Sequence, residues 1–202
     1  MKINTATSLI AEPLFPQFTF TGNIEFSDVQ ISEMVNEINN MTLYKFNWGM
    51  SGWSEDPQEV WNMTPKLQRA APLIVKQLFD VVTNQFNFPS FQNIFEYNNT
   101  QYFLEMRRCF PIILKPGHDF PYYNHSCYFT GITILDATEG GHKVYTRNLD
   151  ARFVHEEKMK FWAPKVKQQI FIPGNVSWGI SSGHDATKTI ALVSQILVKV
   201  RR

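Results

Sequence analysis

The sequence has almost no excess charge of either sign: 19 Lys+Arg stand against 18 Asp+Glu in 202 residues, a formal charge of +1. No global field draws such a chain to nucleic acid or to an anionic membrane, so neither is expected as a partner. Long hydrophobic runs are missing too. The stretch 190–200 is interrupted by Ser194 and Gln195 and is about half of the roughly 20 residues that span a bilayer. The start, Met1-Lys2-Ile3-Asn4, leads into no apolar region with a small-residue cleavage site, which predicts a cytoplasmic chain not secreted by a signal peptide. Cysteine is scarce: Cys109 and Cys127 alone form no disulfide framework, and a reducing compartment keeps both as free thiols. Internal repeats, low-complexity segments and linkers are also lacking, so 1–202 reads as one domain.

What is present is apolar material, 44% of residues, with only 18% charged, enough for a real core. Its period changes once. Ser27 with Gln30 three residues on forms a capping box, and Ile31, Met34, Val35 and Ile38 then fall on one helical face, predicting a helix over 27–40. Thr64 and Pro65 open a second helix over 65–85, with Leu67, Ala71, Ile74, Leu78, Val81 and Val82 on its buried side and Pro72 placed awkwardly inside. From Phe91 the pattern becomes short β-rich runs: 94–97, 102–114, 128–135, 143–146, 169–172, 176–180 and 189–200. Turn chemistry separates them, as in Asn98-Asn99, Pro116-Gly117, Glu139-Gly140-Gly141, Pro173-Gly174 and Ser182-Gly183. A helical pattern recurs only around 156–161. The expected class is α+β, mainly β. Residues 1–90 supply helical support, and 91–202 form an antiparallel double-stranded β-helix, or jelly roll.

Three segments narrow this outline. The first is Leu114-Lys115-Pro116-Gly117-His118-Asp119-Phe120-Pro121-Tyr122-Tyr123-Asn124-His125-Ser126-Cys127, with the following strand and Gly140-Gly141. The second is Gln169-Ile170-Phe171-Ile172-Pro173-Gly174-Asn175-Val176-Ser177-Trp178-Gly179-Ile180, and the third Thr187-Lys188-Thr189-Ile190-Ala191-Leu192. Together they resemble the 2-oxoglutarate/Fe(II) oxygenase superfamily, in particular its compact tailed-phage versions. That resemblance implies a His-x-Asp/Glu pair, a distal His and a later cation. Two imidazoles and a carboxylate hold one face of Fe(II), and the cation grips the far carboxylate of 2-oxoglutarate. Matched residue by residue, His125 is the first ligand, Cys127 stands for Asp/Glu, Gly179 stands for the distal His, and Lys188 is the cation. If the register slips, His184 becomes the distal ligand.

Only one of three iron ligands survives this match, so the resemblance implies a degenerate site with neither iron nor 2-oxoglutarate bound and no catalytic residue. The expected function is a non-catalytic structural or binding protein with protein partners or copies of itself in a larger assembly. If a phage encodes it, its place is the host cytoplasm or the virion. One alternative is an active Fe(II)/2-oxoglutarate-dependent oxygenase using His125, Cys127, His184 and Lys188. Another is a carbohydrate-binding jelly roll in which Trp178, Trp48 and Trp53 stack sugar rings. Several placements follow. His125 and Lys188 should face the barrel mouth, with a gap at Gly179. A structural Lys188 should reach solvent or pair with Asp136 or Glu139. His118 in its polar turn and His142 after Gly140-Gly141 are expected at the surface.

Overall fold

The computed structural model describes residues 19–41, 65–123, 127–138, 141–147, 159–181 and 188–201. Helix α1 (Asp28–Asn40) begins where its cap predicts: Ser27 Oγ accepts from the Gln30 N–H at 3.2 Å, and Gln30 Oε1 accepts from the Ser27 N–H at 2.8 Å. It buries Ile31, Met34 and Ile38. Helix α2 (Pro65–Phe86) passes through Pro72 without ending. The missing N–H there costs roughly 3 kcal/mol in a helix interior. Burial of Leu67, Ile74, Leu78, Phe79 and Val82, at about 1.5 to 3 kcal/mol for each large side chain, outweighs that loss.

The strands form two antiparallel sheets. The larger has the order β1 (Phe20–Asn23), β9 (Gln168–Pro173), β6 (Phe129–Asp136), β11 (Thr189–Val200), β4 (Thr100–Leu114), β3 (Ile94–Tyr97), β2 (Ser90–Phe91). The smaller has the order β5 (Phe120–Tyr123), β10 (Ser177–Ser181), β7 (Lys143–Arg147), β8 (Met159–Trp162). From β4 onward the chain passes back and forth between the sheets, as a double-stranded β-helix requires. The sequence runs map onto β3, β4, β6, β7, β9, β10 and β11, while β1, β2, β5 and β8 are additional. The end of the helical pattern at 156–161 is instead taken by β8.

Turn residues explain two of the joints. Asn98 and Asn99 adopt φ of 47° and 57°, the left-handed pair that a two-residue hairpin between β3 and β4 needs. After β4, Pro116 and Gly117 (φ 74°) close a turn in which the His118 N–H donates to the Lys115 carbonyl at 3.2 Å.

Register defines the faces of the large sheet. Phe20, Phe171, Gly131 and Ser194 occupy one cross-strand row, and Phe20 meets Phe86 of α2 edge to face at 6.4 Å, so this row faces the helices. The opposite face carries Phe110, Ile112, Leu114, Ile132, Ile134, Ile170, Ile172, Ala191 and Val193, all buried. It shares its core with Phe120, Val144, Trp162, Trp178 and Ile180 of the small sheet. These two faces are the inside of the barrel.

Candidate functional site

The family-like residues fall on β10, on the start of β11 and on the connection from β5 to β6. His125 and His184 lie outside the described residues, as do Trp48 and Trp53.

Cys127 is half-buried just before β6. Its thiol donates to the Phe129 carbonyl at 3.2 Å and lies 3.6 Å from Thr130 Oγ1. Burial pushes its pKa up, against the smaller opposing effects of Thr130, the Ile196 backbone and the Arg107 charge. The group is therefore a protonated thiol at neutral pH, neither a ready thiolate ligand nor an activated nucleophile. Cys109, on the helix side of β4, is also free, accepts from Ser194 Oγ at 3.5 Å, and is pushed by burial to about 11.

Gly179 does not leave a gap at the barrel mouth. It registers with Tyr145, which in turn registers with the half-exposed Phe161, while its neighbours Trp178 and Ile180 belong to the core. Alternation therefore turns Gly179 to the outer face of the small sheet. A Cβ there would lie 2.6 Å from Tyr145 Oη and 2.9 Å from the Phe120 carbonyl oxygen, so the position has no room for an imidazole. The inward residue is Trp178, which is fully buried and stacked on Phe120 with ring centroids 4.7 Å apart and planes 8° from parallel. A buried indole presents no face to a sugar ring.

Lys188 is also turned away from the mouth. Thr189, the first residue of β11, registers with the inward Leu114, and the residue before it points to the helix side. There Lys188 Nζ donates to Asn39 Oδ1 of α1 at 2.7 Å. The lysine is paired, but with a neutral amide rather than the acid Asp136; Glu139 lies outside the described residues.

Among the described residues no three His, Cys, Asp or Glu side chains converge as a metal site. The described positions do not fit Fe(II) with 2-oxoglutarate: a protonated thiol, an outward glycine and an outward lysine supply neither a facial triad nor a carboxylate clamp.

The sequence reading misses a polar cluster beside Lys188, where β4 ends and β7 and β11 begin. His142 is fully buried, not at the surface, with Nδ1 2.9 Å from Thr189 Oγ1 and Nε2 3.1 Å from the Lys115 carbonyl oxygen. His118 is half-buried and its Nδ1 is enclosed without a hydrogen-bond partner among the described residues. The missed signal is period two: His142 stands two residues before Val144, which faces the core.

No protein-family model matches the sequence, and no curated protein matches it. Solved structures do. A Pseudomonas putida prolyl-4-hydroxylase aligns with TM-score 0.58 at 9% identity over 93% of this chain and 94% of that one. The non-heme alpha ketoglutarate dependent epimerase SnoN from nogalamycin biosynthesis aligns with TM-score 0.62 at 7% identity over 91% and 79%. The viral collagen prolyl hydroxylase of Paramecium Bursaria Chlorella virus-1, in its 2OG complex, aligns with TM-score 0.53 at 12% identity over 90% and 96%. The fold is that of the 2-oxoglutarate/Fe(II) oxygenases. At such identities the likeness concerns the fold alone, and function must be argued from the residues.

Proposed function

We propose that this chain is a non-catalytic structural or binding protein on an oxygenase scaffold, a component of a larger protein assembly such as a tailed-phage virion. The observation that carries the reading is the placement of Trp178: next to Gly179, where the resemblance puts the distal iron ligand, the inward side chain of β10 is an indole stacked on Phe120. The outward orientation of Lys188, bonded to Asn39, supports it from the co-substrate side. Near-zero net charge suits packing among protein subunits and gives no pull toward nucleic acid or anionic lipid. No described helix is long and apolar enough to cross a membrane.

The test uses the purified full chain. Iron content is measured after reconstitution with Fe(II), and melting is followed against 2-oxoglutarate. A resident co-substrate at a hundredfold excess over its Kd would stabilise the fold by about 2.7 kcal/mol. The expected result is substoichiometric iron and a flat titration. Stoichiometric iron with saturable stabilisation, both lost in His125→Ala, would overturn the reading in favour of an active oxygenase using His125 and His184.

A further inference from the structure

The buried polar cluster that this reading leaves unused lies where β4 ends and where β7 and β11 begin. A carbonyl oxygen only accepts, so His142 Nε2 carries the hydrogen and donates to Lys115, while Nδ1 accepts from the Thr189 hydroxyl. One neutral ring thereby joins three pieces of chain that are far apart in sequence: the turn after β4, the residue before β7 and the first residue of β11. Thr189 is itself 1% exposed, so the Nδ1 end of the bridge is closed off from water, while the Lys115 end is only part-buried.

The charged groups around the ring come from the flanking elements. From the turn between β4 and β5, Asp119 attracts a charge on His142 and a charged His118 repels it. Lys115 contributes its carbonyl, while its side chain is exposed. Lys143, next on β7, is exposed. Lys188, before β11, is drawn toward Asn39.

We infer that His142 is an acid-sensitive latch: neutral, it holds the 115–119 turn and the starts of β7 and β11 together, and on protonation it releases them. A proton added at Nδ1 arrives where the Thr189 hydroxyl already donates. That hydroxyl must rotate away, and a cation is left in a desolvated site. Burial holds the pKa of the folded ring below its ordinary value; contacts with the Lys115 and His118 backbone and the Asp119 charge oppose this less strongly. The sign follows. An unfolded ring takes its proton near 6.5 and the folded ring only at lower pH, so the unfolded state binds more protons between the two values. Stability is unaffected above about pH 7.5 and falls as the pH drops below 6.5 toward the folded value.

The experiment compares wild type with His142→Gln, whose amide keeps one donor and one acceptor but cannot titrate. Urea unfolding is measured from pH 8 to pH 5, and the His142 ring and the Thr189 and His118 amides are followed by NMR. The expected result is a wild-type folding constant that falls with acidification by up to about tenfold per pH unit more than that of the variant. The ring should titrate below 6.5, with both amides shifting at the same midpoint. Superimposable pH curves, or a ring titrating at or above its ordinary value, would overturn the latch. If His142→Gln does not fold, the wild-type titration decides alone: a depressed midpoint shared by the amides supports the latch, and a normal midpoint or unmoved amides reject it.

Discussion

The inside of the barrel and the helix-covered side of its large sheet are both buried, yet they are filled by different chemistry. The inside is dry through its middle, with Ile132, Ile134, Ile170, Ile172, Val193, Trp178 and Phe120 packed together. Besides the His142–Thr189 pair at one end of the barrel, polar pairs sit on the helix side. Thr133 Oγ1 donates to Gln169 Oε1, Ser194 Oγ to Cys109 Sγ at 3.5 Å, Gln77 Nε2 to the Asn23 carbonyl at 2.8 Å, and Lys188 Nζ to Asn39 Oδ1 at 2.7 Å. Here Gln77 and Lys188 tie the helices to β1 and to the start of β11, Thr133–Gln169 and Ser194–Cys109 link neighbouring strands, and the apolar middle of the interior holds the two sheets together.

Substitution can break or sharpen this contrast. The largest effect is expected inside: Trp178→Ala removes a fully buried indole and its stack on Phe120, and should cost about 3 to 5 kcal/mol in urea unfolding. A loss under about 1 kcal/mol would mean that Trp178 lines a pocket able to collapse or hydrate, and the dry-core description would fail. Next comes Gly179→Ala on the outer face of the small sheet. The new methyl meets Tyr145 and the Phe120 backbone, and overpacking of this kind costs roughly 1 to 3 kcal/mol. A neutral outcome would show that Tyr145 moves freely and that a larger side chain could be accommodated there. The smallest effect belongs to the helix side. A double-mutant cycle with Lys188→Ala and Asn39→Ala should return a coupling of about 1 kcal/mol, modest because the pair is partly exposed. Zero coupling, with Lys188→Ala fully tolerated, would free the lysine to turn toward the barrel.

Which side a residue takes was only partly legible in advance. Helix α1 could be read to within a residue because Ser27, Gln30 and the 3.6-residue stripe are local signals that agree. The hairpin at Asn98-Asn99 and the turn at Pro116-Gly117 were legible for the same reason, since their backbone angles suit those residue types. The short strands were harder. β1 and β5 have four residues each, and β5 contains Pro121, so neither carries enough alternation to stand out from a loop. The β-helix itself was recognisable through turns and motif order, although no sequence match supports it.

For a different reason, Gly179 and Lys188 take the face opposite to the one expected. Spacing along the chain locates Gly179 and Lys188 relative to one another, but a strand has two faces, and a shift of one residue exchanges them. Alternation within β10 would have shown that Trp178 and Gly179 cannot both point inward. It could not have shown which of them does, because that depends on the bulge against β5 and on where Phe120 lies. His142 follows the same logic: two residues before Val144 it had to share a face with it, but whether that face was core or solvent rested on Lys115 and Thr189 arriving from 27 and 47 residues away.

Local sequence therefore determined where the helices begin, where the chain turns and which period each segment follows, since caps, Asn and Gly turns and side-chain spacing act over three or four residues. Only the tertiary structure decided that the scaffold's inner face is filled by Trp178 and Phe120, that Lys188 belongs to α1, and that a buried histidine bridges three strand ends. Each of those outcomes depends on which distant surface closes over a strand, and a strand's own residues leave that choice open.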